Sequence, residues 1–274
     1  DGKIIGFVPQ YIRVNGEFQP VISMESTFKG NTELIILPEI PSTVTNIDSI
    51  CHNCQNLKTI IIPVTVRDIG MYAFSGCANL ENVTIAKGIK NIEERAFYGC
   101  ENLSKINLPD TIEELGEQCF ANCISLSEIY LPEGLKLMCE SFVGCESLTS
   151  IEIPSTLEEI WSDKGEYEHA IGPFENCSNL KTLTFREGIK DLSRLHKIDI
   201  NLNLENVIIP GTVKEITDVF YNNSSLKNVK IGEGTEIIDY LAFENCTNLM
   251  SITLPNSITH IKDEAFRNCT NLTN

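Results

Sequence analysis

The stretch AFYGCENLSKINLPDTIEELGEQ, residues 96–118, decides how this chain is read, because close variants of it recur along most of the 274 residues. Its apolar residues alternate twice. Leu103, Ile106 and Leu108 run up to Pro109, and Ile112 and Leu115 then lead to the next turn. Alternation at period two predicts two short, half-buried strands. A proline follows the first strand at Pro63, Pro109, Pro132, Pro154, Pro210 and Pro255, where it stops the strand by withholding a ladder N–H. The segment around Ala96-Phe97 makes the remaining corner and is short enough for one helical or 3₁₀ turn.

Aligned on leucine, the pattern repeats at Leu34, Leu57, Leu80, Leu103, Leu126, Leu148, Leu180, Leu204, Leu226, Leu249 and Leu272. The interval is 23 residues with small slips, widened to 32 between Leu148 and Leu180, so about eleven rungs are expected with one insertion at 161–173. A second slot holds Phe28, Phe74, Phe97, Phe120, Phe142, Phe174, Phe220, Phe243 and Phe266, whose rings should stack along the core. A single rung cannot bury its apolar edge alone, so the rungs must stack into a solenoid.

The combined pattern CxxLxxIxIPxxIxxIxxxAFxx resembles the BspA-type leucine-rich repeats found in surface proteins of bacteria and parasitic protists. The match runs from about Phe28 to Leu272 and departs at Cys51, at Ile198 and Asn201, and around the insertion. The expected fold is therefore a β-rich leucine-rich-repeat solenoid of right-handed stacked rungs, each with two short strands and a helical or 3₁₀ turn. The array should occupy residues 28–274. Residues 1–27 are expected to cap it as a hairpin or a degenerate rung, since Asn15-Gly16 stands between alternating apolar residues. At the other end the sequence stops just after Leu272, which predicts end-to-end self-association through an uncovered rung.

A formal net charge of −17 argues against nucleic acid and anionic membranes as partners. No apolar run approaches the ~20 residues that span a bilayer, so direct membrane insertion is not expected. The opening residues DGKIIG lack the pattern of a signal segment. Cell-surface or secreted localisation is what the family resemblance implies.

Eight cysteines (Cys54, Cys77, Cys100, Cys123, Cys145, Cys177, Cys246 and Cys269) share the slot three residues before the leucine. Such a column has parallel Cβ vectors, which oppose disulfide geometry, and no zinc-ligand spacing recurs. Buried thiols that bond to turn backbone are expected instead. The residue before that slot is always Gly or Asn: Gly30, Asn53, Gly76, Gly99, Asn122, Gly144, Asn176, Asn222, Asn245 and Asn268. Those two residue types take positive φ most readily, so Asn-Cys-Thr at 245–247 and 268–270 is read as turn chemistry before it is read as a glycosylation sequon.

His52, His169, His196 and His260 fall in different slots with no recurring Ser, Asp or Cys partner, and the pairs Glu93-Glu94, Glu113-Glu114 and Glu158-Glu159 read as a solvated acidic face. Neither a P-loop nor a Ca²⁺ loop occurs. The chain is accordingly read as non-enzymatic, with no cofactor or metal. Partner contacts are assigned to the exposed first-strand positions Ile61, Tyr130 and Ile208, and to Trp161, Tyr167 and His169 in the insertion. The resulting reading is a surface or secreted module binding a protein or a glycan. A structural spacer is the alternative, and an enzyme with its site in the insertion a third.

Overall fold

The computed structural model describes residues 8–160, 172–195 and 203–273. The first strands of successive rungs are Thr59–Ile62, Asn82–Ile85, Lys105–Asn107, Glu128–Tyr130, Ser150–Ile153, Thr182–Phe185, Asn206–Ile209, Asn228–Ile231 and Ser251–Thr253. They pair in parallel and in register within three sheets, Thr59–Ile62 with Asn82–Ile85, Lys105–Asn107 with Glu128–Tyr130, and Ser150–Ile153 onward through Ser251–Thr253, as Thr59↔Asn82 and Val229↔Ile252 illustrate. Two-residue second strands, such as Asn91–Ile92 and Glu114–Leu115, form a parallel ladder of their own. Pairing of Ile151 with Leu183 carries the first-strand ladder across the insertion without a slip.

Proline punctuates this ladder as its chemistry requires. Where the slot after the first strand holds another residue, its N–H continues the ladder: Ala86 donates to Ile62 O at 3.0 Å, Arg186 to Ile153 O at 3.0 Å and Gly232 to Ile209 O at 2.8 Å. Proline has no such hydrogen, so the chain leaves the sheet there.

The third corner closes by i→i+3 hydrogen bonds, among them Ser75 N to Tyr72 O and Cys77 N to Phe74 O, both 3.2 Å. It remains a pair of turns in most rungs; among the described residues a 3₁₀ helix forms at Ser193–Leu195 and Asp218–Phe220. Two left-handed residues prevent a longer helix. One is the Gly/Asn slot, where all ten residues have φ between 59° and 73°. The other lies two residues before the Phe slot and accepts Ser26, Ser49, Tyr72, Arg95, Gln118, Leu241 and Glu264, with φ of 50° to 60°. Such residues cost roughly 1–2 kcal/mol of backbone strain when they carry a Cβ. Inter-rung bonds hold several of them in place, as Tyr72 N donates to Glu94 O at 2.9 Å and Asn53 N to Ser75 O at 2.7 Å.

The core lies inside this coil. Phe74, Phe97, Phe120, Phe142 and Phe174 are fully buried and stack with ring centroids 5.3 to 5.6 Å apart. A second stack runs through Phe220, Phe243 and Phe266. Cys51 interrupts the column after Phe28, and Phe185 meets Phe220 edge-on at 6.4 Å where the repeat is irregular.

Each of the eight column thiols donates to a carbonyl at the Phe slot of the preceding rung, from Cys54 Sγ to Phe28 O at 2.9 Å through Cys269 Sγ to Phe243 O at 3.0 Å. The sulfur thus fills apolar volume and satisfies a turn carbonyl. Burial pushes the Cys177 thiol up to about 12 and drives Cys100 and Cys145 well above the ordinary thiol range.

At the N-terminal end Tyr11–Val14 and Glu17–Pro20 form the hairpin, with Asn15 at φ 50° and Gly16 at φ 89°. Its residues are exposed, whereas Met24 and Phe28 beneath the first turn are buried. The last rung is less covered: Phe266 and Leu272 are only partly buried and Ile261 is exposed.

Two measurements check this account. Asn245 is left-handed, and its amide donates to Asn222 Oδ1 and accepts from Asn268 Nδ2. Asn245→Ala is expected to be less stable than Asn245→Gly by about 1–2 kcal/mol in urea denaturation, because only glycine keeps positive φ without strain. Equal midpoints would disprove that role. The thiol column should resist iodoacetamide at pH 8 in the folded chain and react fully once unfolded, since the thiolate is the reactive form. Mass spectrometry showing rapid native labelling of Cys77 or Cys100 would contradict it.

Candidate functional site

Side chains on the first strands alternate between core and solvent, so two parallel columns project from one face. Pairing aligns Ile61 with Thr84, Asn107 with Tyr130, and Glu152 through Thr184 and Ile208 with Lys230 and Thr253. In the other column Asn228 donates to Asn206 Oδ1 at 2.9 Å and accepts from Ser251 Oγ at 3.0 Å. Most of these residues are small, so the face admits close approach.

Tyr130 breaks the sequence of small residues and is 53% exposed. Arg186, two rungs further on, reaches back to place its guanidinium 4.1 Å from the centre of the Tyr130 ring. Its Nη1 donates to Leu131 O at 2.7 Å and to Glu133 Oε1 at 3.2 Å, and its Nε donates to Glu152 Oε2 at 3.2 Å. With its side chain only 15% exposed, Arg186 is a structural pin and has little left to offer a ligand. Glu133 is held below the usual carboxylate range against its own desolvation by Ser155 and Arg186.

A trough of about 430 Å³ runs beside Tyr130, bordered by Lys105, Asn107, Glu128, Ser150 and Glu152. A second, of about 420 Å³, continues past Arg186 over Thr184, Ile208 and Lys230. Tyr130 and Ile208 therefore border two neighbouring troughs that share Glu152 and Arg186. Ile61, 65% exposed, stands on the same face outside both troughs. Trp161, Tyr167 and His169 lie outside the described residues. Arg186 is the residue that sequence reading missed. Its signal was position: it occupies the slot where six other rungs carry proline.

Elsewhere the polar groups are committed to the scaffold. Hydrogen bonds from Lys90 and Lys136 hold the Glu113 carboxyl down at about 2, whereas burial and then Glu114 push Glu93 up. Tyr72 OH donates to Glu94 at 2.6 Å. His52 packs 5.8 Å from the Tyr72 ring, and His260 Nδ1 lies 2.9 Å from Thr259 Oγ1. Among the described residues no group of three His, Cys, Asp or Glu side chains is arranged to hold a metal ion, and no helix is long and apolar enough to cross a membrane. Asn102 donates to Asn79, and Asn271 to Asn248, in a second amide column one residue before the Leu slot, apart from the ladder at Asn222, Asn245 and Asn268. Asn102-Leu103-Ser104 and Asn271-Leu272-Thr273 also spell sequons; at Asn102, Asn245, Asn268 and Asn271 alike, the nitrogen that would carry a glycan is the donor of a ladder bond.

The scaffold and its repeat chemistry define a leucine-rich-repeat solenoid with a polar sheet face. The BspA type leucine rich repeat region family model matches residues 45–171 and 170–273 in six copies. The chain belongs to that family. Among solved structures it is similar to a leucine-rich repeat protein from Bacteroides ovatus ATCC 8483, at 24% identity and TM-score 0.62, over 98% of this chain and 85% of that one. It is also similar to a leucine rich cell surface protein from Faecalibacterium prausnitzii A2-165, at 23% identity and TM-score 0.51, over 98% and 86% of the two chains. At these identities the likeness is one of fold. Comparison with curated proteins gave no match.

If Arg186 pins three rungs together, Arg186→Ala should lower stability by about 1–3 kcal/mol, the range for hydrogen bonds to charged groups. Arg186→Lys should recover only part of it, because an ammonium lacks the planar fork and stacks less well. Urea midpoints of the three proteins decide; an unchanged midpoint for the alanine variant would show the pin to be dispensable.

Proposed function

We propose that this chain is a non-enzymatic binding module displayed at a cell surface or secreted, which presents its first-strand face to a protein or glycan partner. The observation that carries the reading is the face itself, where stacked parallel strands expose columns of side chains and two neighbouring troughs, one beside Tyr130 and one over Ile208, share Glu152 and Arg186. A rigid sheet loses little entropy when a ligand lies along it, so small contacts add up. Membership of the BspA-type family supports the reading, and the Faecalibacterium relative is itself described as a cell surface protein.

The test is retention of protein-coated beads on immobilised extracellular-matrix protein, mucin and epithelial cells. Ile61→Glu and Ile208→Glu should each reduce retention about tenfold, as expected for loss of a contact worth roughly 1.4 kcal/mol. Glu158→Lys and Thr259→Lys, on the second-strand side, should leave it unchanged. Equal retention by both sets, or none by any protein, would favour a spacer that holds another domain away from a surface.

A further inference from the structure

Within that reading, we propose that the trough beside Tyr130 is a binding site for a neutral oligosaccharide. The first consideration is shape. Tyr130 is the one large aromatic on this stretch of the face, and Asn107 and Ser150 beside it in the trough are small. A protein partner of standard size needs an apolar centre with several large anchors. A single ring in a narrow polar channel instead suits a thin chain that sets one C–H face on the aromatic and turns its hydroxyls to the sides.

Preorganisation is the second. Arg186 covers one face of the Tyr130 ring and is itself fixed by Leu131 O, Glu133 and Glu152, so ring and Glu152 carboxylate are both held before any ligand arrives. The half-exposed ring leaves its remaining surface to the trough. Ordering costs on binding are correspondingly small.

Charge decides the class. Lys105 and Arg186 stand against Glu128, Glu133 and Glu152, which leaves the site one negative charge from neutrality. Its only cation-binding ring already carries Arg186, and two of the three carboxylates are paired with that residue. A polybasic peptide thus finds one free carboxylate, Glu128, offset by Lys105. An anionic glycan meets a chain of net charge −17. Hydroxyl groups, which both donate and accept, match the remaining mixture of Asn107 amide, Ser150 hydroxyl, Lys105 donor and Glu128 acceptor.

The experiment is calorimetric titration of the full chain with cellohexaose, maltohexaose and mannohexaose, with hyaluronan hexasaccharide and hexalysine as charged probes. At least one neutral hexasaccharide should bind, with affinity unchanged at 0.5 M NaCl. Tyr130→Ala should weaken it about tenfold, and Tyr130→Phe, which keeps the stacking face, less than about threefold. Lys214→Ala, on the second-strand side, serves as the folded control. The proposal is overturned if no neutral hexasaccharide binds, if Tyr130→Ala binds as tightly as the native chain, or if hexalysine binds in preference and is released by salt. Should any of these occur while Ile61→Glu and Ile208→Glu still reduce bead retention about tenfold, the binding-module reading stands and only the glycan assignment falls.

Discussion

Everything in this solenoid depends on the corner at the Phe slot, where the chain must reverse without a helix to absorb its polar groups. Two left-handed residues four apart make the reversal, and the groups they leave unpaired are satisfied by neighbouring rungs. The N–H of the Gly/Asn residue reaches forward to the next rung, while the thiol reaches back to the previous one. Neither bond forms unless adjacent rungs are in register. The corner therefore fixes the repeat length, the Phe stack and the sheet together, and strain at one residue is offset by bonds supplied from another.

Legibility followed chemical necessity. The Leu, Pro and Gly/Asn slots could be read because each makes a demand that few side chains meet: an apolar edge, a missing N–H, a positive φ. Cysteine was legible as a buried column for the same reason, although its acceptor, the Phe-slot carbonyl, was not. The second left-handed slot was illegible, because Ser49, Tyr72, Arg95 and Leu241 share no property that predicts positive φ. There the conformation is imposed by the neighbours' hydrogen bonds. The corner was expected as a helical or 3₁₀ turn, and the left-handed residue at its entrance is what keeps most copies from becoming one.

The same logic separates scaffold from site. Because the backbone is determined at the corners, the exposed first-strand positions carry almost no structural duty, and their residues are free to answer to a partner. Tyr130 and Ile208 were legible as large residues on a face of small ones. Arg186 escaped notice because it sits outside the alternation, in a slot that normally carries no side-chain role beyond ending a strand. Replacing proline there does two things at once. It returns an N–H to the ladder, through the bond to Ile153 O, and it gives the rung a long planar cation that folds back over Tyr130.

In an array of near-identical rungs, recognition must reside in the exceptions, since a surface that repeats every 23 residues offers the same contacts in many registers and defines none. A ligand that slid along the Thr and Asn columns by one rung would lose little. Tyr130 and Arg186 remove that degeneracy, because the ring has no equivalent in the flanking rungs and the guanidinium ties Glu133, Glu152 and Tyr130 into one fixed group across three of them. The insertion enters the sequence between the Ser150–Ile153 and Thr182–Phe185 strands, two of the three rungs that Arg186 spans. Irregularity in the repeat and irregularity on the face thus coincide along the chain, and a solenoid whose corners set its register has concentrated its individuality where the corners do not reach.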